Sequence, residues 1–278
     1  MHQSLPVCCA PQAFQLLQRQ LGCLECPDAL MIGAVAVATH ALGDVDLSAV
    51  DARLQGYADA VRSRVRRQQP QAVVAHLHDV LFEEEGFAGN TDDYYDAANN
   101  FLPTVLETKR GLPIILSLIY KDVAGRLGLR VHGVNLPGHF LVSVECGGSP
   151  LMIDAFAGGR VIHVEEAREL LRRVLGEQVE WSEELLRPAC HRLWLTRILQ
   201  NLLNIHSTRG QYRHVAAMLE MQMLLWPDET QLQRDLALVL ARCGLSQPAR
   251  QWLDSYLKAN PDDPQTRDLR QLLDVLTG

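Results

Sequence analysis

Apolar positions along the chain keep two rhythms, and the change between them falls at Gly128. Upstream the rhythm is helical. Asp44-Val45-Asp46-Leu47-Ser48 supplies a cap, after which Val50, Leu54, Tyr57 and Val61 recur at the spacing that lines one helix face. Residues 72–82 continue in that style and stop at Gly86. An acidic loop follows, carrying Glu83, Glu84, Glu85, Asp92, Asp93 and Asp96. Gly111-Leu112-Pro113 then opens a strongly apolar helix to residue 127, and proline suits a first turn where its missing N–H would have had no partner.

Beyond Gly128 the period becomes two. Segments 131–136, 140–146, 151–156 and 160–164 predict four strands, with Cys146-Gly147-Gly148-Ser149 as the hairpin turn between the second and third. Strands that succeed one another without long crossovers form an antiparallel sheet, so the expected class is α+β.

From Glu165 the pattern is helical again, and it repeats. Gly210 and Gly244, Pro227 and Pro261, Leu202 and Leu236, and Leu219 and Leu253 are each 34 residues apart. That period, with a mid-repeat glycine and a terminal proline, is the signature of tetratricopeptide-type helix pairs. The pattern is weak in the first copy, where Val215 and Gln222 stand at usual alanine positions; Ala249 keeps one of them in the second. Two copies and a last helix over 264–276 are too few to stand alone, so they should pack on the core. The expected organisation is a helical segment over 1–80, an α+β core over 81–185, and helical repeats over 190–278.

Composition narrows the functions. The 278 residues are 47% hydrophobic and 21% charged, as in a soluble globular protein. A formal charge of -7 disfavours nucleic acid, whose phosphates need a surplus of Lys and Arg. The one basic run, Arg62-Ser63-Arg64-Val65-Arg66-Arg67, suits a solvated face near a helix C-terminus. No stretch has the length of a membrane span, and residues 29–41 are apolar for only about three turns. The N-terminus lacks the pattern of an export signal. Seven scattered cysteines suit reduced thiols in a cytoplasm better than a disulfide framework.

One constellation carries chemistry. Pro137-Gly138-His139-Phe140 opens a strand, and Ile153-Asp154-Ala155-Phe156 lies on the next, with a hairpin between. Antiparallel pairing puts His139 and Asp154 side by side. A carboxylate beside an imidazole fixes its tautomer and stabilises its charged form, as a general base requires. Thiol enzymes built this way complete the set with a cysteine at a helix N-terminus, where the dipole favours the thiolate.

With that pair the sequence resembles the transglutaminase-like core of bacterial SirB-type proteins, which carry tetratricopeptide repeats behind it. The resemblance runs through Leu81-Phe82-Glu83-Glu84-Glu85-Gly86-Phe87, Asp93-Tyr94-Tyr95-Asp96, Asn100-Phe101-Leu102, Arg110-Gly111-Leu112-Pro113-Ile114, Leu116-Ser117-Leu118-Ile119-Tyr120, Pro137-Gly138-His139-Phe140-Leu141 and Asp154-Ala155-Phe156-Ala157-Gly158-Gly159. It implies a papain/transglutaminase-like fold and cytoplasmic residence. Active relatives of this class have a cysteine at the start of the core helix. The matching position, fifteen before Gly128, is Pro113, with Leu112 and Ile114 beside it. None of the three can attack a carbonyl, so the pair is vestigial on this reading.

Other residues compete poorly for the role. Ser117, one turn on, lacks the helix-end dipole, and a hydroxyl bonded to a carbonyl one turn back is its expected state. Cys146 falls on the opposite face of the His139 strand. Cys23-Leu24-Glu25-Cys26 is a single CxxC, which Cys8 and Cys9 would have to complete as a four-thiolate site. His76 and His78 point to different sides of one helix, and the acidic loop lacks the spacing of a calcium loop. Tyr94 and Tyr95 should tuck that loop onto the core. No cofactor and no metal is expected.

The leading expectation is a non-enzymatic scaffold whose repeats hold a protein or peptide partner. The inner groove would carry Arg197, Gln200, Asn204, Ser207, Gln231 and Arg234, suited to an extended peptide with some acidic content. The bland alternative is that these positions pack on the core and bind nothing. The second function is a hydrolase of amide or ester bonds that uses His139 and Asp154 to activate water.

Overall fold

A computed structural model describes residues 5–66, 69–176 and 181–276. Four helices come first: α1 (Pro11–Gln20), α2 (Ala29–Leu42), α3 (Leu47–Arg62) and α4 (Pro70–His78). Asp46 caps α3 as its sequence predicts, accepting from the amides of Ser48 (2.9 Å) and Ala49 (3.2 Å). The helix ends at Arg62, which pairs with Asp59, while Arg64 pairs with Glu84; Arg67 of the basic run lies outside the described residues. After α4 the chain widens into a π-type turn over Asp79–Glu84.

Two short strands, β1 (Ala88–Gly89) and β2 (Arg110–Gly111), pair in parallel around α5 (Leu102–Thr108), and α6 (Pro113–Arg126) starts at the predicted proline. The main sheet contains β3 (Val131–Val134), β4 (Leu141–Val144), β5 (Leu151–Asp154), β6 (Arg160–Ile162) and β7 (Pro188–Ala189), in the order β6-β5-β4-β3-β7. All neighbours are antiparallel, so a mixed helix and antiparallel-sheet architecture stands as expected. The four predicted strands are each shorter than their periodicity, and β7 is an addition on the β3 edge, pairing with Gly133 and Val134.

After α7 (Val164–Leu175) come α8 (His191–Thr208), α9 (Tyr212–Leu225), α10 (Thr230–Arg242), α11 (Ser246–Ala259) and α12 (Thr266–Val275). Each packs on the next in sequence. Gly210 (φ +66) and Gly244 (φ +72), the 34-residue pair, turn the chain ahead of α9 and α11. A left-handed backbone at those turns favours glycine.

One hydrophobic cluster joins the first helices, α6, the sheet, α8 and α9, from Leu17 and Leu54 through Ile115 and Tyr120 to Trp194 and Met221. At its centre the Trp194 and Phe140 rings lie 4.4 Å apart between centroids. The indole reaches in because Gly133 has no side chain where it sits. The helix α2 is buried nearly all round, which accounts for its unbroken apolar sequence.

The segment before α1 is pinned to α9. The buried Glu220 carboxylate accepts from the amides of Val7 (2.6 Å), Cys8 (3.1 Å) and Cys9 (2.6 Å). The next amide, Ala10, donates to His40 Nδ1 at 3.2 Å, and His40 Nε2 meets His214 Nδ1 of α9 at 3.1 Å. His206 of α8 stacks on His214 with centroids 4.8 Å apart. Four successive backbone donors are thus met by side chains from α2 and α9.

Cys23 and Cys26 are joined to each other, which corrects the expectation of reduced thiols at this pair. The single turn between them brings their Cα atoms to 5.4 Å, within the reach of a disulfide. Among the described residues no helix is long and apolar enough to cross a membrane.

Candidate functional site

His139 sits in the turn that carries the chain from β3 into β4. Gly138, at φ +72, makes the turn possible, and the His139 amide closes it on the Leu136 carbonyl at 3.1 Å. Asp154 is the last residue of β5. Register pairs Val142 with Ile153, so Asp154 faces Leu141, and His139 lies two residues earlier on the diagonal. The pairing is therefore diagonal and not directly opposite, because His139 precedes the strand proper.

The contact is close all the same. His139 Nε2 lies 2.9 Å from Asp154 Oδ2. The other oxygen, Oδ1, accepts from the amides of Phe156 (3.0 Å) and Ala157 (3.1 Å), which fixes the carboxylate plane. With Nε2–H donating, the neutral ring presents Nδ1 as its acceptor. The ring meets Phe156 edge-on at 6.0 Å, and the two side chains are 13% and 8% exposed. The pair is held by the fold and barely open to water.

The nucleophile's position is empty of chemistry. Pro113 is the first residue of α6 and is buried, as are Leu112 and Ile114. Ser117, one turn along, is fully buried, and its Oγ donates across to the Phe140 carbonyl at 3.5 Å. It therefore ties α6 to the residue that precedes β4, which corrects the expectation of a bond one turn back. Cys146 is buried beyond the far end of β4, and burial pushes its thiol above the ordinary range. Cys8 and Cys9 lie at the Glu220 anchor, pushed up by burial and by that carboxylate to about 11 and about 12. With Cys23 bonded to Cys26, the four-thiolate arrangement does not form. Among the described residues no three His, Cys, Asp or Glu side chains group as a metal ion needs. His76 stands near Asp79 (3.4 Å), while His78 bonds the Tyr120 hydroxyl (3.1 Å), on separate sides of α4.

The predicted groove residues part company. Arg197 is half-buried and turns toward the core, donating from Nη1 to Asn135 Oδ1 (3.2 Å) and the Leu136 carbonyl (3.4 Å). Helical spacing places it on an open groove; in the structure the β3–β4 turn bonds it and leaves it half-buried. Gln200 and Asn204 are exposed and bond each other at 3.1 Å, and Ser207 is exposed beyond them. Gln231 is exposed, and Arg234 is held by Asp235 (2.9 Å) and lies over the Tyr256 ring. Of the two loop tyrosines only Tyr94 tucks in, 5.9 Å from Phe156; Tyr95 is 73% exposed.

A separate cavity of about 520 Å³ opens where α2, the second half of α6 and β3 meet. Its buried charges are met from within: Lys121 Nζ donates to the Val131 carbonyl at 2.9 Å, and Asp122 takes Arg126 Nε at 2.6 Å. Sequence reading missed Glu220, although a carboxylate inside the run Ala216-Ala217-Met218-Leu219-Glu220-Met221 was the signal for a buried, bonded acid.

The chain belongs to the transglutaminase-like superfamily, whose core model matches residues 48–200. Within it the chain is similar to UPF0162 proteins. One from Xylella fastidiosa (strain 9a5c) is 35% identical over 236 residues, 84% of each chain. One from Pseudomonas aeruginosa is 29% identical over 204 residues, 68% of this chain and 70% of its own. F-box only protein 21 of Mus musculus is 31% identical over 172 residues, 58% of this chain and 26% of that protein. No solved structure matches the chain.

Proposed function

We propose that this chain is a SirB-type, non-catalytic transglutaminase-like scaffold that binds a protein partner. On this reading α8 to α11 are tetratricopeptide-type helix pairs, and residues 190–278 present the binding face on a core over 81–185. The carrying observation is Pro113: the first turn of the core helix offers no thiol or hydroxyl, while the His139–Asp154 pair is intact. A general base without a nucleophile leaves a frame. The exposed Gln200, Asn204 and Ser207 on α8 and Gln231 on α10 supply the polar contacts of the face. Pull-down with the full chain and with Gln200→Ala, Asn204→Ala, Gln231→Ala combined tests this. Loss of specific partners supports it, and an unchanged set sinks it.

A second reading keeps chemistry in the pair. His139, oriented by Asp154, would take a proton from water attacking an amide or ester. Its support is the 2.9 Å contact and the two amides that hold the carboxylate, a preorganisation that packing alone does not require. Profiling against amide and ester libraries with His139→Ala beside the parent decides it: equal turnover in both proteins ends this reading.

A further inference from the structure

Arg197 is a half-buried cation without a counter-ion. Among the described residues no carboxylate lies within ion-pair distance of it, whereas Arg126, the comparable arginine of α6, is held by both Asp122 and Asp51. A guanidinium has five N–H donors. Nη1 alone is used, on Asn135 and on the Leu136 carbonyl. Among the described residues Nε and Nη2 make no hydrogen bond, and the side chain is only half-buried, so part of the fork remains in reach of a ligand. Withdrawing a charge from water without a partner is unfavourable.

The surroundings say what approaches. The Leu136 carbonyl that takes Arg197 also takes the His139 amide, so the guanidinium stands one carbonyl away from the pair. His139 and Tyr94 both lie on Phe156, at 6.0 and 5.9 Å. The phenol of Tyr94 is the electrostatic neighbour of Arg197. A planar fork of N–H donors fits a planar anion, and a carboxylate is matched two bonds at a time.

We infer that Arg197, beside Tyr94 and one carbonyl away from the His139 turn, binds a carboxylate of the peptide partner. The inference deepens the scaffold reading, on which it rests, and moves the anchoring contact from the outer repeat face to the seam between α8 and the β3–β4 turn. The carboxylate comes either from a peptide C-terminus or from a Glu or Asp side chain, and one experiment separates the two.

Three fluorescein-labelled peptides serve as probes on the full chain: Gly-Ser-Tyr-Gly-Leu with a free C-terminus, its amidated twin, and an amidated twin with Glu in place of the central Tyr. Fluorescence anisotropy should show one or both carboxylate probes binding at least about tenfold tighter than the uncharged twin, the size of a charge-assisted pair. A preference for the free terminus assigns a peptide end, and a preference for the Glu probe assigns a side chain. Arg197→Met should abolish the difference, and Arg197→Lys should restore only part of it, because lysine keeps the charge and loses the fork. Should Arg197→Met unfold, the Arg197 Nε resonance of the unmodified protein, assigned by its loss in Arg197→Lys, must still move on titration with the carboxylate probe. Equal binding of all three probes, or an unmoved resonance, overturns the inference. The combined Gln200, Asn204 and Gln231 variant, which leaves Arg197 in place, should bind the probes normally even if partner capture fails, so the two readings fail separately.

Discussion

Acid should loosen this fold in part through His40, one of several histidines whose charged form burial disfavours. His40 Nδ1 accepts the Ala10 amide, so the ring must keep that nitrogen bare and carry its proton on Nε2, which donates to His214 Nδ1. A second proton on His40 would break the Ala10 bond and face His214 and His206. Burial first, then those two histidines, lower its pKa from 6.5 to about 4. The folded form therefore binds its proton later than the unfolded chain, whose imidazole titrates near 6.5. The contribution is complete above pH 6.5 and is lost as pH falls through the interval down to about 4. A shift of this size is worth at most about 3 kcal/mol, and solvent screening at a ring that is only partly buried leaves about 2 kcal/mol. Urea unfolding at pH 7.5 and pH 4.5 measures it. His40→Gln keeps an acceptor for Ala10 and cannot titrate, so its stability should fall less between the two conditions, by about 2 kcal/mol, than that of the parent. Other groups titrate in both proteins and cancel in the comparison. Equal losses in parent and variant would refute the assignment.

Glu220→Ala leaves three amides without their acceptor and should cost about 3 kcal/mol, with hydrogen exchange at Val7, Cys8 and Cys9 accelerated well beyond that of the α6 amides. Gly133→Ala drives a methyl group into the Trp194 indole and should lower stability by about 2 kcal/mol, read as a fall in Tm. Cys8 and Cys9, with thiols raised to about 11 and about 12, should resist iodoacetamide at pH 8 in the folded protein and react once urea unfolds it; rapid native labelling of either would contradict their placement.

The elements set by local pattern were legible. Alternation marked β3 to β6, a proline marked the start of α6, and a hairpin of known length put His139 beside Asp154. What depended on distant partners was not. The strand β7 is two residues with no period of its own, defined only by the β3 edge it meets. Helical spacing placed Arg197 on a face but could not say that the β3–β4 turn bonds it. The histidines His40, His206 and His214 come from three helices, and no spacing rule links them. Tyr94 and Tyr95 are adjacent and chemically alike, yet Phe156 receives one and leaves the other in solvent.

The Glu220 anchor also constrains the order in which the chain can become a fold during synthesis. Its bonds join residues 213 positions apart. The segment ahead of α1 therefore has no place to settle until α9 has left the ribosome, when most of the chain is already made. Until α8 arrives, α2 lacks part of the cover that its apolar circumference needs. Closing so long a loop late carries an entropic penalty that grows only slowly with length, so the delay and not the closure is the hazard. A nascent chain halted before α8 would present that apolar helix to chaperones, and the emergence of α8 would be the step that withdraws it.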